Sequence, residues 1–143
     1  MKSIVHESSS VEQTEQIAAD LAARMQPGDC IALDGDLGAG KTQFVRGLVR
    51  GLGGNTKTVS SPTYVLLNIY DTGRLPVFHL DAYRVRGSAD FEGIGFSELL
   101  EQGGVVAVEW PSRIPELLPT NCVRVQMQVI DTERRRIEIL TNG

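Results

Sequence analysis

The residues best suited to chemistry form a glycine-rich stretch at positions 35–42, which reads GDLGAGKT. The stretch fits the pattern G-x-x-x-x-G-K-[ST], in which glycines let backbone N–H groups surround an anion without obstruction from Cβ atoms. Lys41 is expected to reach the outer phosphates of a nucleotide, and the Thr42 hydroxyl is expected to bind Mg²⁺. The other predicted phosphate contacts are Asp36, Leu37, Gly38, Ala39 and Gly40. A buried strand before the stretch and an amphipathic helix after it favour nucleotide binding over a chance glycine turn.

Two carboxylates, Asp81 and Glu109, stand directly after apolar runs that are typical of strands. Ligands of an open α/β sheet bind beyond the carboxyl ends of its parallel strands. If the strand before Glu109 is parallel to the strand before the glycine-rich stretch, Glu109 points toward the phosphates and can hold Mg²⁺ directly or through water. Asp81 is a candidate second metal ligand, or the residue that orients the attacking water. The alternative is that each acid only marks the point where a strand leaves the core.

Five further features have both a functional and a structural interpretation. Residues 60–64 suit a loop that senses the outermost phosphate, although an ordinary Ser/Pro turn has the same composition. Arg84, which follows soon after Asp81, is a candidate contact for phosphates or RNA. His79 lies inside a predicted strand, which favours a packed core residue over a ligand, and Trp110 suits the wall of a site and the core equally well. The charged run at 133–136 is typical of a solvated hairpin tip, with a nucleotide or RNA contact as the less favoured alternative.

These residues require an α/β framework to position them, and the hydrophobic pattern predicts one. A helix is expected from Ser9 or Ser10, where capping-box sequences occur, to a stop at Pro27-Gly28. An apolar strand then covers 30–33, and an amphipathic helix covers 41–52. The later predictions are a hairpin of 64–70 with 77–81, a short helix within 90–102, a buried strand at 105–108, one or two helical turns at 111–118, and strands at 123–129 and 136–140. This order predicts a three-layer α/β fold with a parallel central sheet, added antiparallel strands and a C-terminal hairpin.

Composition is that of an ordinary globular protein. The 143 residues are 41% hydrophobic and 22% charged, which predicts one domain over 1–143 with a core of its own. A formal net charge of −4 excludes a strongly basic surface over the whole chain. The apolar runs are too short for a membrane helix, and the N-terminus turns polar too early for a signal peptide, so we expect a cytoplasmic protein with neither membrane nor DNA as a partner. Cys30 and Cys122 lie outside any Cys-x-x-Cys pair, so neither a zinc site nor a disulfide framework is expected.

The order of these motifs resembles that of the bacterial TsaE (YjeE) family. The resemblance is carried by GDLGAGKT at 35–42, SPTY at 61–64, HLDAYR at 79–84, FEGIGF at 91–96 and VEWP at 108–111. Together the motifs cover nearly the whole chain, and their combination is more specific than the glycine-rich stretch alone. The resemblance implies a P-loop NTPase fold and an Mg²⁺-dependent ATPase that is required for threonylcarbamoyladenosine formation beside the anticodon of tRNA.

The resemblance also implies partners. The family works with TsaB- and TsaD-like subunits, of which TsaD carries the transfer to tRNA, while ATP hydrolysis is expected to reset the complex between turnovers. Contact with tRNA is therefore expected at least indirectly. No arginine finger is evident in the chain, so we expect hydrolysis to be slow alone and to be stimulated by the partners.

Residue roles follow by match of motif, with ATP or ADP and Mg²⁺ as the ligands. Lys41 would hold phosphates, Thr42 and Glu109 would hold Mg²⁺, and Asp81 would assist hydrolysis. Lys41, Asp81 and Glu109 are thus the predicted catalytic residues, and Asp81 remains a candidate metal ligand. Thr63 would belong to a loop that responds to the nucleotide. Val11 and Arg134 are the predicted adenine contacts.

Two other functions remain open at this point. A small metabolite kinase would use the same glycine-rich stretch, but it needs an acceptor pocket and a lid, and no basic lid segment of convincing length is evident. A nucleotide-gated binding module would hydrolyse little. Transfer of phosphate to a small acceptor favours the kinase, whereas ATP-dependent partner binding that survives loss of the Asp81 and Glu109 carboxylates favours the module.

Overall fold

The computed structural model describes residues 2–36, 38–59, 67–71, 73–82 and 95–141. Within these residues the strands are β1 (Lys2–Ser8), β2 (Cys30–Gly35), β3 (Leu67–Tyr70), β4 (Val77–Asp81), β5 (Val105–Glu109), β6 (Val123–Val129) and β7 (Arg135–Thr141). They form one seven-stranded mixed sheet in the order β1-β7-β6-β2-β5-β4-β3.

The centre of the sheet is parallel, as the sequence predicts. β2 pairs in parallel with β5 on one side and with β6 on the other, and β5 pairs in parallel with β4. The outer pairs β3–β4, β6–β7 and β1–β7 are antiparallel. All five residues of β5 are buried, because the sheet is covered on both faces at its centre. The parallel pairing brings the carboxyl ends of β2, β4 and β5 to one edge, where the glycine-rich stretch follows β2.

Helical segments pack on both faces of the sheet. The described helices are α1 (Val11–Ala22), α2 (Lys41–Gly51) and α3 (Phe96–Leu100), with 3₁₀ turns at Thr56–Thr58, Pro111–Arg113 and Pro115–Leu117. Side chains of α1 and α2 pack with Ile31 and Leu33 of β2, whereas α3 packs with Ala32 on the opposite face. None of the described helices is long and apolar enough to cross a membrane.

Two glycines allow α1 and α2 to approach closely. A Cβ atom at Gly47 would lie 2.3 Å from the carbonyl oxygen of Glu15, and one at Gly51 would lie 2.6 Å from that of Ala19. Real Cβ atoms do not tolerate such distances, so the backbones approach only because both positions of α2 lack side chains. This contact holds the start of α1 next to the start of α2.

The start of α1 agrees with the prediction, but its end does not. The hydroxyl of Ser10 accepts a hydrogen bond from the backbone N–H of Gln13 at 3.1 Å and caps the helix. The helix ends at Ala22, several residues before the predicted stop, because the next N–H groups bond three residues back. Arg24 donates to Leu21, and Met25 donates to Ala22, each at 3.0 Å.

Strand β1 was not predicted. It pairs antiparallel with β7 in a register that sets Lys2 opposite Thr141. Most of its residues are exposed, so it lacks the alternation of a half-buried strand. Its partner lies at the other end of the chain, and such a distant pairing leaves no local signal in the sequence.

The two cysteines are buried free thiols. The hydrogen bond that the Cys30 thiol donates to the neighbouring Cys122 sulfur, together with burial, raises the pKa of Cys30 well above its usual value. A raised pKa keeps a thiol protonated and unreactive, which is typical of a buried structural cysteine.

Candidate functional site

The glycine-rich stretch forms a tight turn at the edge of the sheet. Gly38 and Gly40 have φ values of 83° and 103°, in the left-handed region that side chains disfavour. Between them Ala39 is buried in the core, and its N–H donates to the carbonyl oxygen of Asp36 at 3.0 Å. The loop is therefore anchored at Ala39, while the glycines on either side carry no Cβ atom that could block an approaching ligand.

Helix α2 begins directly after this turn, with Gly40 as its N-cap and no side-chain cap. The hydrogen bond that joins this N-cap to the helix runs from the N–H of Phe44 to the carbonyl oxygen of Gly40 at 2.9 Å. The N–H groups before Phe44 point away from the helix without a helical acceptor. An uncapped N-terminus with these N–H groups and the positive end of the helix dipole suits an anion.

Lys41, the first residue of α2, points into a buried position. Its side chain is 5% exposed, and within the described part of the chain its Nζ atom has no hydrogen-bond partner. Nζ lies 3.9 Å from Oε1 of Glu109 and 3.8 Å from the centroid of the Trp110 ring. Burial lowers the pKa of Lys41, while the carboxylates of Glu109 and Asp81 oppose that shift. A buried ammonium that lacks acceptors fits a ligand rich in oxygen atoms, such as a phosphate chain.

The structure brings the two predicted acids together. Asp81 and Glu109 are register partners at the ends of the parallel strands β4 and β5. The backbone adds a further link, because the N–H of Ala82 donates to the carbonyl oxygen of Glu109 at 3.0 Å. Both carboxylates act electrostatically on Lys41. Lys41, Asp81 and Glu109 therefore form one cluster at the carboxyl edge of the sheet.

A metal ion at this edge would depend on the ligand for part of its coordination. The described residues contain no group of three or more His, Cys, Asp or Glu side chains arranged to hold a metal. Thr42 is half-buried at the second position of α2, and Glu109 and Asp81 lie near its neighbour Lys41. Mg²⁺ is commonly held by one or two protein oxygen ligands together with phosphate oxygens and waters, and this donor set is suited to that arrangement.

His79 has a role that the sequence analysis missed. The side chain is completely buried, as predicted, but it also contacts the site. Its Nε2 atom lies 2.5 Å from Oε2 of Glu109, and its Nδ1 atom lies 3.2 Å from the hydroxyl of Tyr70. The alternation of side chains along a strand could have indicated this contact, because residues 79 and 81 of one strand share a face with Glu109 of the next.

Trp110 walls the site next to Glu109. Among the described residues other than glycine it alone has a left-handed backbone, with φ 58° and ψ 53°. This conformation costs a tryptophan about 1–2 kcal/mol. Such strain is common at functional sites, and here it accompanies a ring that lies against the Lys41 ammonium.

A cleft of about 400 Å³ opens beside the glycine-rich turn, between the start of α1 and the hairpin of β6 and β7. Its lining includes Val11, a predicted adenine contact, and Arg135. The predicted contact Arg134 is not among the lining residues, since its guanidinium bonds to Asp131 and Glu7. Arg135 instead extends toward the turn, where its Nη2 atom donates to the carbonyl oxygen of Gly38 at 3.3 Å.

Several predicted residues lie outside the described part of the chain. They are Leu37 in the glycine-rich stretch, the proposed sensor loop at 60–64 with Thr63, and Arg84. Their predicted roles stay predictions. The cluster and the cleft described above rest on residues from other segments.

Comparison with known proteins assigns the family. The family model described as "Threonylcarbamoyl adenosine biosynthesis protein TsaE" matches residues 8–137. Two proteins named "tRNA threonylcarbamoyladenosine biosynthesis protein TsaE" illustrate the similarity. The Bacillus subtilis protein is 37% identical over 143 residues, covering 100% of this chain and 89% of the relative. The Rickettsia felis protein is 36% identical over 132 residues, covering 92% and 77% respectively.

The fold is similar to a solved structure as well. The crystal structure of Bacillus subtilis YdiB matches with a TM-score of 0.82 and 32% sequence identity, over 99% of this chain and 87% of that one. The family match and the relatives each cover most of the sequence, including the glycine-rich stretch, Asp81 and Glu109. The chain therefore belongs to the TsaE family.

Proposed function

We propose that this chain is the Mg²⁺-dependent ATPase subunit of the machinery that forms threonylcarbamoyladenosine in tRNA. The relatives are named for that biosynthesis, and the family match supports carrying the role to this chain. In this proposal the fold is a P-loop NTPase sandwich with helices on both faces of the sheet. The protein acts in the cytoplasm. One observation carries the ATPase proposal: Lys41 is buried beside the uncapped start of α2 with no hydrogen-bond partner among the described residues.

That lysine is best explained by a polyphosphate ligand. An ammonium that is removed from water and given no acceptors destabilises the free protein. Phosphate oxygens would supply the missing acceptors, and the N–H groups at the start of α2 would hold the same anion. Positive groups fixed in this way stabilise the charge that spreads over a transferring phosphoryl group.

The residues around Lys41 fit the remaining requirements of hydrolysis. Thr42 and Glu109 are the residues that would hold Mg²⁺, and the bound ion would neutralise charge on the outer phosphates. An acid that is free of direct metal contact would orient the attacking water. Asp81 lies beside Glu109 in register and is our candidate for that role.

The cleft beside the turn suits the rest of ATP or the product ADP. It combines the exposed aliphatic side chain of Val11 with hydroxyl groups of Ser9, Ser10 and Thr132. An apolar wall with a few polar groups is typical of a pocket for a base and its sugar. We place the adenosine part there, with the phosphates at the glycine-rich turn.

The proposed partners are TsaB- and TsaD-like subunits, through which the chain acts on tRNA indirectly. Hydrolysis by this chain would reset the TsaB–TsaD pair after each transfer. The acidic net charge of −4 is consistent with a protein that leaves the RNA contact to its partners.

Reconstituted tRNA modification tests this role. Modified tRNA is counted per TsaB–TsaD pair, with ATP and with either the native chain, Lys41→Ala or the matched surface variant Lys57→Ala. Lys57 is exposed in the Thr56–Thr58 turn and lies outside the site. We expect repeated turnover with the native chain and with Lys57→Ala, and a yield limited to about one tRNA per pair with Lys41→Ala. Equal yields with and without the chain would refute the role.

A further inference from the structure

A chain of hydrogen-bonded side chains runs through the sheet behind Glu109. Asn68 donates from Nδ2 to the Tyr70 hydroxyl at 3.4 Å, and that hydroxyl lies 3.2 Å from Nδ1 of His79. Nε2 of His79 then lies 2.5 Å from Oε2 of Glu109. His79 is 0% exposed, and Tyr70 and Glu109 are each 4% exposed. Water therefore does not compete for these bonds, and each of them constrains the next side chain.

The partners fix the direction of every bond in this chain. A carboxylate only accepts hydrogen bonds, so Nε2 of His79 carries the hydrogen that Glu109 accepts. In the neutral imidazole the Nδ1 atom is then the acceptor, and the Tyr70 hydroxyl donates to it. The Tyr70 hydroxyl therefore supports the histidine tautomer that donates to Glu109. Carboxylates that bind metal ions are commonly held in place by hydrogen bonds of this kind from residues behind them.

Strand geometry explains why His79 reaches Glu109. His79 and Asp81 alternate onto one face of β4, and Ala107 and Glu109 alternate onto the same face of β5. Ala107 is the register partner of His79 and carries only a methyl group. The imidazole therefore has room to lie across Ala107 toward the next residue on that face, which is Glu109.

The two carboxylate oxygen atoms of Glu109 therefore have different contacts. Oε2 is held by His79, and Oε1 faces Lys41 at 3.9 Å. Without the His79 bond the buried carboxylate would be free to turn both oxygens toward the Lys41 ammonium, which lies 3.9 Å from Oε1. A close Lys41–Glu109 pair would remove one group from the phosphates and the other from the metal.

We infer that His79, oriented by Tyr70, is a positioning residue that keeps Oε1 of Glu109 directed at the nucleotide and its metal. The inference rests on the proposed function, because it gives Glu109 a metal to hold. It goes beyond that function by making a fully buried histidine, which acts through Glu109, necessary for the metal response of the site.

The test compares nucleotide binding with and without metal. The affinity for fluorescently labelled ADP is measured in excess Mg²⁺ and in EDTA, with emission of the single tryptophan Trp110 as a second readout. His79→Leu removes the donor, whereas His79→Gln can return an N–H group near the position of Nε2. Tyr70→Phe removes one oxygen atom and tests the orienting step with little change in packing. His6→Leu is the matched control, since His6 is the other histidine and lies on edge strand β1.

We expect His79→Leu to lower Mg²⁺-dependent ADP affinity about 10-fold and kcat about 10–100-fold. ADP affinity in EDTA should stay near the native value, since the loop and Lys41 hold the phosphates without the metal. His79→Gln should recover most of the loss, Tyr70→Phe should show a smaller loss of the same kind, and His6→Leu should show none. Trp110 emission should respond to Mg²⁺·ADP differently from ADP alone in the native chain but not in His79→Leu.

Each contrary result overturns the inference. A folded His79→Leu with the native Mg²⁺ response excludes a positioning role. Equal losses with Mg²⁺ and EDTA, or a His79→Gln variant as weak as His79→Leu, indicate a role in packing alone. If His79→Leu fails to fold, a native response in Tyr70→Phe decides against the inference. A native chain with no Mg²⁺ effect contradicts the proposed metal role of Glu109 itself, which separates failure of the proposed function from failure of this inference.

Discussion

Nζ of Lys41 lies 3.9 Å from Oε1 of Glu109, near enough for attraction but without a hydrogen bond. Both side chains are almost fully buried, and the ammonium also lies 3.8 Å from the centroid of the Trp110 ring. An ammonium has three N–H donors, and within the described residues none of them is satisfied. The free protein thus holds a charged group in a position that a phosphate would stabilise better.

Replacement of Lys41 should therefore separate stability from binding. We expect Lys41→Met to raise the free energy of unfolding by about 1–2 kcal/mol, because an unsatisfied buried cation is replaced by an apolar chain of similar length. The same variant should lose the stabilisation that ADP with Mg²⁺ gives the native chain. Urea denaturation with and without nucleotide measures both effects, with Lys57→Met as the control. A Lys41→Met variant less stable than the native chain would show that Lys41 is already satisfied without a ligand.

The hairpin arginines give a second prediction. Arg135 lines the cleft and bonds to Gly38, whereas Arg134 bonds to Asp131 and Glu7. We expect Arg135→Ala to weaken ADP binding about 3–10-fold, through loss of a contact to the turn and of one wall of the cleft. Arg134→Ala is the matched control, with the smaller effect. A larger loss in Arg134→Ala would favour the original sequence-based prediction that Arg134 is the nucleotide contact.

The packing of α1 against α2 gives a third prediction. A methyl group at Gly47 would meet the Glu15 carbonyl oxygen at 2.3 Å, so the helices must separate to accept it. We expect Gly47→Ala to lower the free energy of unfolding by about 1–3 kcal/mol, despite the better helix propensity of alanine. Arg46→Ala, at the preceding and less buried position, should change it by less than about 0.5 kcal/mol. Thermal and urea denaturation give the comparison, and a stabilised Gly47→Ala would mean that the helices are farther apart than described.

The turn between β6 and β7 predicts a pH dependence. Hydrogen bonds from the backbone and side chain of Arg134 lower the pKa of Asp131 from 3.8 to about 2. A carboxyl group whose pKa is lower in the folded state stabilises the fold above the unfolded pKa, and this contribution is lost as pH falls through the folded pKa. Asp131→Asn should therefore be less stable than the native chain near neutral pH. The difference in free energy of unfolding should disappear as the pH falls from 3.8 to about 2. A carboxyl NMR titration checks the pKa, and a normal value for Asp131 would contradict the prediction.

Much of the framework followed from local pattern. The apolar runs before Asp34 and Glu109 predicted buried parallel strands, and their pairing is confirmed. The glycine-rich stretch predicted its own turn and the start of α2 at Lys41, because only glycines suit the left-handed positions there. Both patterns lie within a few consecutive residues, and each composition is typical of one local structure, a buried strand or a glycine-rich turn.

What the sequence did not reveal depends on contacts between distant segments. Strand β1 exists because it pairs with β7 at the other end of the chain, and the contact of His79 with Glu109 spans two strands. Which of Arg134 and Arg135 faces the cleft also depends on contacts that the local sequence does not show. Neighbours on a hairpin point in different directions, and only the position of Asp131 and Gly38 shows which arginine faces the cleft.

The measurement that tests the central claim most directly is Mg²⁺-dependent phosphate release from ATP. It compares the native chain with Glu109→Gln and with the exposed control Glu101→Gln, each with and without the TsaB–TsaD pair. We predict slow release by the native chain and by Glu101→Gln, a higher rate with the partners, and at least about a 100-fold loss in Glu109→Gln. Native activity in Glu109→Gln, or no release by the native chain even with its partners, would contradict the account.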